Sequence, residues 1–133
     1  MEVLLVDDDP LMHELMPPLL RKALGEDVEI VAVSDLESAF QRLAHHKPPD
    51  FALLDLGLPG HAGLETLRRF RWKFSGVPVV ILSAIDDPGF IRVARGMGVV
   101  GYLPKTLSAE QRVDALKQIG AGGSFFPDPA PNK

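Results

Sequence analysis

The chain contains no cysteine, which excludes disulfides, thiol catalysis and thiolate-held metal. It has no surplus of basic charge either: 14 Lys and Arg stand against 18 Asp and Glu, a formal net charge of −4. The overall field does not draw nucleic acid to the surface, so control of DNA would need a contact made by another domain. No apolar run approaches the roughly 18 residues that a membrane span requires, and the N-terminus lacks a signal-peptide pattern. Strand-like sequence begins directly after Met1, as at a native domain start. No internal repeat is present. These absences fit a cytoplasmic protein with no membrane partner. What is there is ordinary for a globular chain: 133 residues, 46% apolar and 24% charged, enough for one domain with its own core.

Five short apolar runs stand out, at residues 3–6, 28–33, 51–54, 77–82 and 99–103. Most are nearly continuous in Val, Leu and Ile, as parallel strands buried on both faces require. Helical signals lie between them. Asp9-Pro10 and Asp87-Pro88 each offer an N-cap followed by proline at the first helical position. Gly25 is placed to stop the first helix, and Gly96 or Gly98 the fourth. Ser34 with Glu37 and Ser108 with Gln111 read as capping boxes. Leu64, Leu67, Arg68 and Arg71 fit an amphipathic helix with its apolar positions facing inward. Pro17 and Pro18 fall inside the first helical segment, which predicts a bent or interrupted helix. Five strand-helix units in succession predict an α/β fold with a parallel sheet and helices on both faces. From residue 121 the sequence AGGSFFPDPAPNK turns rich in Gly and Pro and reads as a linker or tail. Phe125 and Phe126 are expected to fold back onto the last helix.

In an open α/β sheet, ligands bind outside the carboxyl ends of the strands. Asp7, Asp8 and Asp9 follow the first strand, Asp55 the third, Ser83 the fourth and Lys105 the fifth. Singly, each has an ordinary explanation: Asp9 as a cap, Asp55 as a turn residue before Leu58-Pro59-Gly60, Ser83 as a cap, Lys105 as a solvated charge. Together those explanations are poor. Carboxylates crowded at one edge repel and raise one another's pKa unless a cation is present. A hard divalent ion with oxygen ligands, Mg²⁺ above all, resolves this. A lysine and a hydroxyl nearby suit a phosphoryl group, whose charge spreads over its oxygens.

The motifs VLLVDDDP, LLDLGLPG, VVILSA and GYLPK, in that order, resemble a receiver domain of a two-component response regulator. The resemblance covers about residues 1–120, leaving 121–133 as linker or tail. It implies a flavodoxin-like fold, a (βα)5 three-layer sandwich with strand order 2-1-3-4-5, and phosphorylation by a sensor histidine kinase. Carried over by position, Asp55 is the phosphoacceptor and Asp8 a direct Mg²⁺ ligand. Asp7 acts through a metal-bound water, and the backbone carbonyl of Gly57 is a further ligand. Lys105 pairs with the phosphoryl oxygens, Ser83 turns inward to bond them, and the Tyr102 rotamer follows. Such a domain is a switch that catalyses only its own phosphorylation and dephosphorylation. Two positions depart from the commonest pattern. Thr106 follows Lys105 where many receivers have proline, which leaves the geometry of that peptide open. Gly57 and Ile85 lack any group to orient an attacking water, which predicts that the acyl phosphate does not turn over at the fast end for this family. The ending resembles receivers of LuxR-type regulators, whose linker leads to a helix-turn-helix DNA-binding domain. On that resemblance the chain is either part of such a regulator, with its output domain absent here, or a free-standing receiver; the linker-like tail favours the former. A helical surface such as 90–97 could serve a homodimer.

The rival is a haloacid dehalogenase-type phosphatase, also Mg²⁺-dependent, with Asp7 as nucleophile and Asp86-Asp87 completing the set. Against it, the Asp pair precedes the lysine, the residues after Asp9 do not match, and the chain is short for that fold. A third reading, a receiver-like binding module that takes no phosphate, sits poorly with the full set of Asp7, Asp8, Asp55, Ser83 and Lys105.

Overall fold

The computed structural model describes residues 1–57 and 63–127. Strands and helices alternate throughout: β1 (Glu2–Val6), α1 (Pro10–Leu24), β2 (Glu29–Val33), α2 (Leu36–His45), β3 (Phe51–Asp55), α3 (Leu64–Lys73), β4 (Val79–Ser83), α4 (Pro88–Gly96), β5 (Gly101–Pro104) and α5 (Ala109–Gly120). All strand pairs are parallel, in the order β2-β1-β3-β4-β5. The parallel sheet is the one that the strand-helix alternation predicts, and its strand order is the flavodoxin-like one that the resemblance implies.

The strands sort their side chains with period two, as the pleat demands. Val3, Leu5, Leu53, Val80, Leu82 and Leu103 meet Met12, Met16 and Leu20 of α1 and Leu116 and Ile119 of α5. Leu4, Val6, Leu54, Ile81 and Tyr102 face the other way, onto α2, α3 and α4. Phe40, Phe70 and Phe74 cluster there with ring centroids 5.6–6.4 Å apart and close the α2–α3 seam. β3 and β4 are buried along their whole length. β2 is not: it is an edge strand, and Glu29 and Ala32 are exposed.

Four local expectations are met and three are corrected. Asp9 and Asp87 cap α1 and α4 with Pro next, Gly25 closes α1, and Ser108 with Gln111 forms a capping box. α2 begins one residue later than Ser34 and Glu37 suggest: Asp35 is the cap, its Oδ1 accepting from Ser38 N at 2.7 Å. That register buries Leu36 in the core as the first helical residue. Of the bent or interrupted helix expected at Pro17 and Pro18, the interruption does not occur: α1 is continuous through both. Both prolines lie off the buried Met12–Met16–Leu20 stripe, with Pro18 exposed, so water can reach carbonyls deprived of a donor. The tail folds back differently from expectation. Phe125 joins the α5 side of the core, but Phe126 lies on the α4 side, with Arg95 stacked 4.6 Å from its ring centroid. Residues 128–133 lie outside the described residues.

Candidate functional site

β1 ends at Val6, paired with Leu54 of β3, so the next residues, Asp7 and Asp55, emerge side by side at the carboxyl edge. One carboxylate oxygen from each of Asp7, Asp8 and Asp55 lies within 4.8 Å of the others. Lys105 leaves β5 at the same edge, its backbone N–H donating to Ser83 O at 2.7 Å. The lysine Nζ is 3.2 Å from Asp7 Oδ2 and 3.5 Å from Asp55 Oδ1. Asp7 and Asp55 thus share one ammonium, with the Asp8 carboxylate beside them.

The acids differ in environment. Asp7 is wholly buried, Asp55 nearly so, and Asp8 is exposed. Asp7 Oδ1 accepts from Asp9 N at 2.8 Å, whereas Oδ2 accepts no hydrogen bond and has only its ion pair with Lys105. Burial pushes the Asp7 carboxyl above the usual aspartate range, and the charge of Asp55 adds to this. The Asp9 amide and Lys105 pull the other way and do not prevail. Asp55 Oδ1 accepts from Gly57 N at 3.0 Å, which folds the turn tightly around the carboxylate. An excess of negative charge with an underpaired buried oxygen is the donor set of a hard divalent cation, so Mg²⁺ fits these residues.

Ser83 and Tyr102 come together through Ile85. Ser83 Oγ accepts from Ile85 N at 3.0 Å, and the Tyr102 hydroxyl donates to Ile85 O at 2.7 Å. Tyr102 is wholly buried, its ring set edge-on to Phe90, and burial raises the phenol above its usual pKa. There is no cis peptide among the described residues, so Lys105–Thr106 is trans. The Leu58-Pro59-Gly60 turn lies outside the described residues.

Two residues escaped the sequence reading. Arg112 of α5 is buried, and its Nη2 donates to Lys105 O at 2.6 Å while Nη1 approaches Met16 Sδ at 3.7 Å. Burial lowers its pKa, and among the described residues no carboxylate pairs with it. His13 Nε2 sits 2.6 Å from Asp7 O, bracing the loop that carries the acids. Neither follows a strand, so the rule that gathers residues at strand ends passes over both. The phosphatase reading loses its accessory pair. Asp86 and Asp87 are exposed, and Asp87 Oδ2 caps α4 by accepting from Phe90 N at 2.9 Å.

Residues 3–117 match the family described as the response regulator receiver domain. A glycerol metabolism activator of Pseudomonas putida is 33% identical over 126 residues, covering 95% of this chain and 57% of that protein. The nitrate/nitrite response regulator protein NarL of Escherichia coli is 32% identical over 90% of this chain and 55% of its own length. The crystal structure of a LuxR-family two-component response regulator from an Aurantimonas species superposes with a TM-score of 0.77 at 29% identity, covering 93% of this chain and 87% of that one. The chain therefore spans little more than half the length of these curated relatives.

Proposed function

The chain belongs to the response regulator receiver domain family, and we propose that it is switched by phosphorylation of Asp55. The observation that carries this is the cluster itself. Asp55 lies beside Asp7 and Asp8 at a parallel sheet's carboxyl edge, with Lys105 Nζ 3.5 Å from its oxygen. An Asp55 oxygen attacks the phosphorus of a phosphohistidine on a kinase, the P–N bond breaks, and an acyl phosphate forms. Asp8, Asp55 and the Gly57 carbonyl would hold Mg²⁺ directly, with Asp7 acting through water; bound there, the ion supplies charge neutralisation for the transferring group. Lys105 exchanges its Asp55 contact for the phosphoryl oxygens. Ser83 gives up the Ile85 amide to bond the same oxygens, which shifts the population of the Ile85–Tyr102 segment.

Receiver domains of response regulators are signalling proteins, and catalysis here is limited to the domain's own phosphorylation and its loss. The relatives are LuxR- and NarL-type regulators, which supports a transcriptional output through a DNA-binding domain reached by way of 121–133, with 1–120 as the switching unit. A cytoplasmic site fits: among the described residues no helix is long and apolar enough to cross a membrane. Partners are a sensor histidine kinase and a second copy of the chain. The test is labelling with a small phosphodonor followed by mapping of the modified residue. Asp55 carries the label in the wild type, and Asp55→Asn takes none while remaining folded; a label retained in that variant refutes the assignment.

A further inference from the structure

β5 is the last strand of the sheet, and its outer edge should present bare N–H and C=O groups. Part of that edge is instead paired. After α5 the chain reverses at Gly122, where φ is +94°, a conformation that side chains other than glycine rarely adopt. It then runs back along β5 as an added parallel segment. Phe125 N donates to Val100 O at 3.2 Å, and Tyr102 N donates to Phe125 O at 2.9 Å. Side chains pin it on both faces of the sheet. Phe125 enters the cluster of Leu103 and Ile119, and Phe126 enters that of Ile91, Ala94 and Tyr102, under the Arg95 guanidinium. Gly101 permits the close approach: a Cβ there would stand 2.8 Å from Ile119 Cδ1 and 3.4 Å from Phe125 O.

Tyr102 therefore carries two hydrogen bonds of different reach. Its hydroxyl holds Ile85 O, in the turn whose amide is held by Ser83, while its backbone N–H holds the returning tail. We propose that residues 124–127 form a strap on the β5 edge whose seating is coupled, through Tyr102, to the state of the acidic site. The strap holds Tyr102 in its buried position. Phosphorylation, by favouring that position, tightens the strap, and linkage makes the effect reciprocal. The coupling rests on the phosphorylation reading of Asp55; the strap itself does not.

Amide hydrogen exchange on the full chain separates the two. The N–H groups of Tyr102 and Phe125 have no partner but each other's strand, so slow exchange at both in the untreated protein is expected, and loop-like exchange overturns the strap. Phe125→Ala should speed Tyr102 exchange by about tenfold or more, with Leu4 and Leu53 in the central strands unchanged as a check on folding. Arg95→Ala, an exposed change, should produce the same effect to a lesser extent; no response in either variant overturns the proposal. Treatment with a small phosphodonor should then slow exchange at Phe125. If mass spectrometry shows Asp55 labelled and Phe125 exchange unaltered, the coupling is wrong. If Asp55 takes no label, the phosphorylation reading fails and the coupling with it, while the first two measurements still decide the strap.

Discussion

Asp7→Asn should stabilise the metal-free protein, although it removes an ion pair. At an effective dielectric of about 20, two unit charges 4.8 Å apart, the widest separation of these oxygens, repel by about 3.5 kcal/mol, and the 3.2 Å Lys105 pair attracts by about 5 kcal/mol. Asp7 faces one such repulsion from buried Asp55 and a weaker one from exposed, solvent-screened Asp8. Attraction and repulsion therefore nearly cancel. The balance is left to the cost of dehydrating a carboxylate that is wholly buried, the largest influence on its raised pKa. Asn keeps the Oδ1 bond to Asp9 N and removes the charge; its Nδ2 replaces Oδ2, and Lys105, a donor that it cannot pair with, turns wholly to Asp55, so a gain of about 1–2 kcal/mol follows, or roughly 4–8 °C in Tm for a chain of this size. The pH dependence has a definite sign. A carboxyl whose folded pKa is raised favours folding fully below the unfolded value of 3.8 and loses that contribution as pH climbs through the folded pKa. The variant's advantage should thus be small in acid and grow towards neutrality. Calorimetry in chelator is the assay, because Trp72, at the far end of α3 and 86% exposed, is a poor reporter. Added Mg²⁺ should then raise the wild-type Tm more than the variant's. A lower Tm for Asp7→Asn in chelator at pH 7 would mean that the Lys105 ion pair outweighs the cost of burying the Asp7 charge.

The acyl phosphate on Asp55 should persist beyond seconds in the isolated domain, because Gly57 and Ile85 offer no side chain to orient water; decay within seconds, followed by loss of label, contradicts this. Asp35→Ala should cost about 1 kcal/mol by removing the α2 cap. Since the Ser38 amide lowers the Asp35 pKa, that contribution is present above 3.8 and fades as pH falls through the folded value, which denaturant titration at several pH values will show. Arg112→Met should change stability by no more than about 1–2 kcal/mol, since it removes a buried unpaired charge but orphans Lys105 O. It should slow labelling of Asp55 through a looser Lys105 loop; an unaltered labelling rate would leave Arg112 a purely structural residue.

The five strands, the five helices and the four loops that carry Asp7, Asp55, Ser83 and Lys105 were legible because each is a local pattern. An apolar run marks a buried strand, an Asp-Pro pair marks a helix start, and the parallel arrangement then puts every strand's carboxyl end at one edge. What local patterns could not carry was competition between neighbours. Asp35 displaced Ser34 as a cap because burial of Leu36 sets the helix register. Pro17 and Pro18 left α1 whole because they fall off its buried Met12–Met16–Leu20 face, and which face is buried is settled by packing. Arg112 looks like any surface arginine on α5 until Lys105 O is seen 2.6 Å away.

The order of elements and the set of groups gathered at the sheet edge follow from periodicity and chain order alone. How those groups share charge depends on packing in three dimensions. Lys105 is held between Asp7 and Asp55, and Asp7 is buried deeply enough to resist ionising. Packing also decided where the tail goes: two phenylalanines in a Gly- and Pro-rich stretch carry no periodic signal, and their place is set by an unpaired strand edge far away in the chain. Distances and burial are properties of neighbours, and in this fold the neighbours come from separate strands.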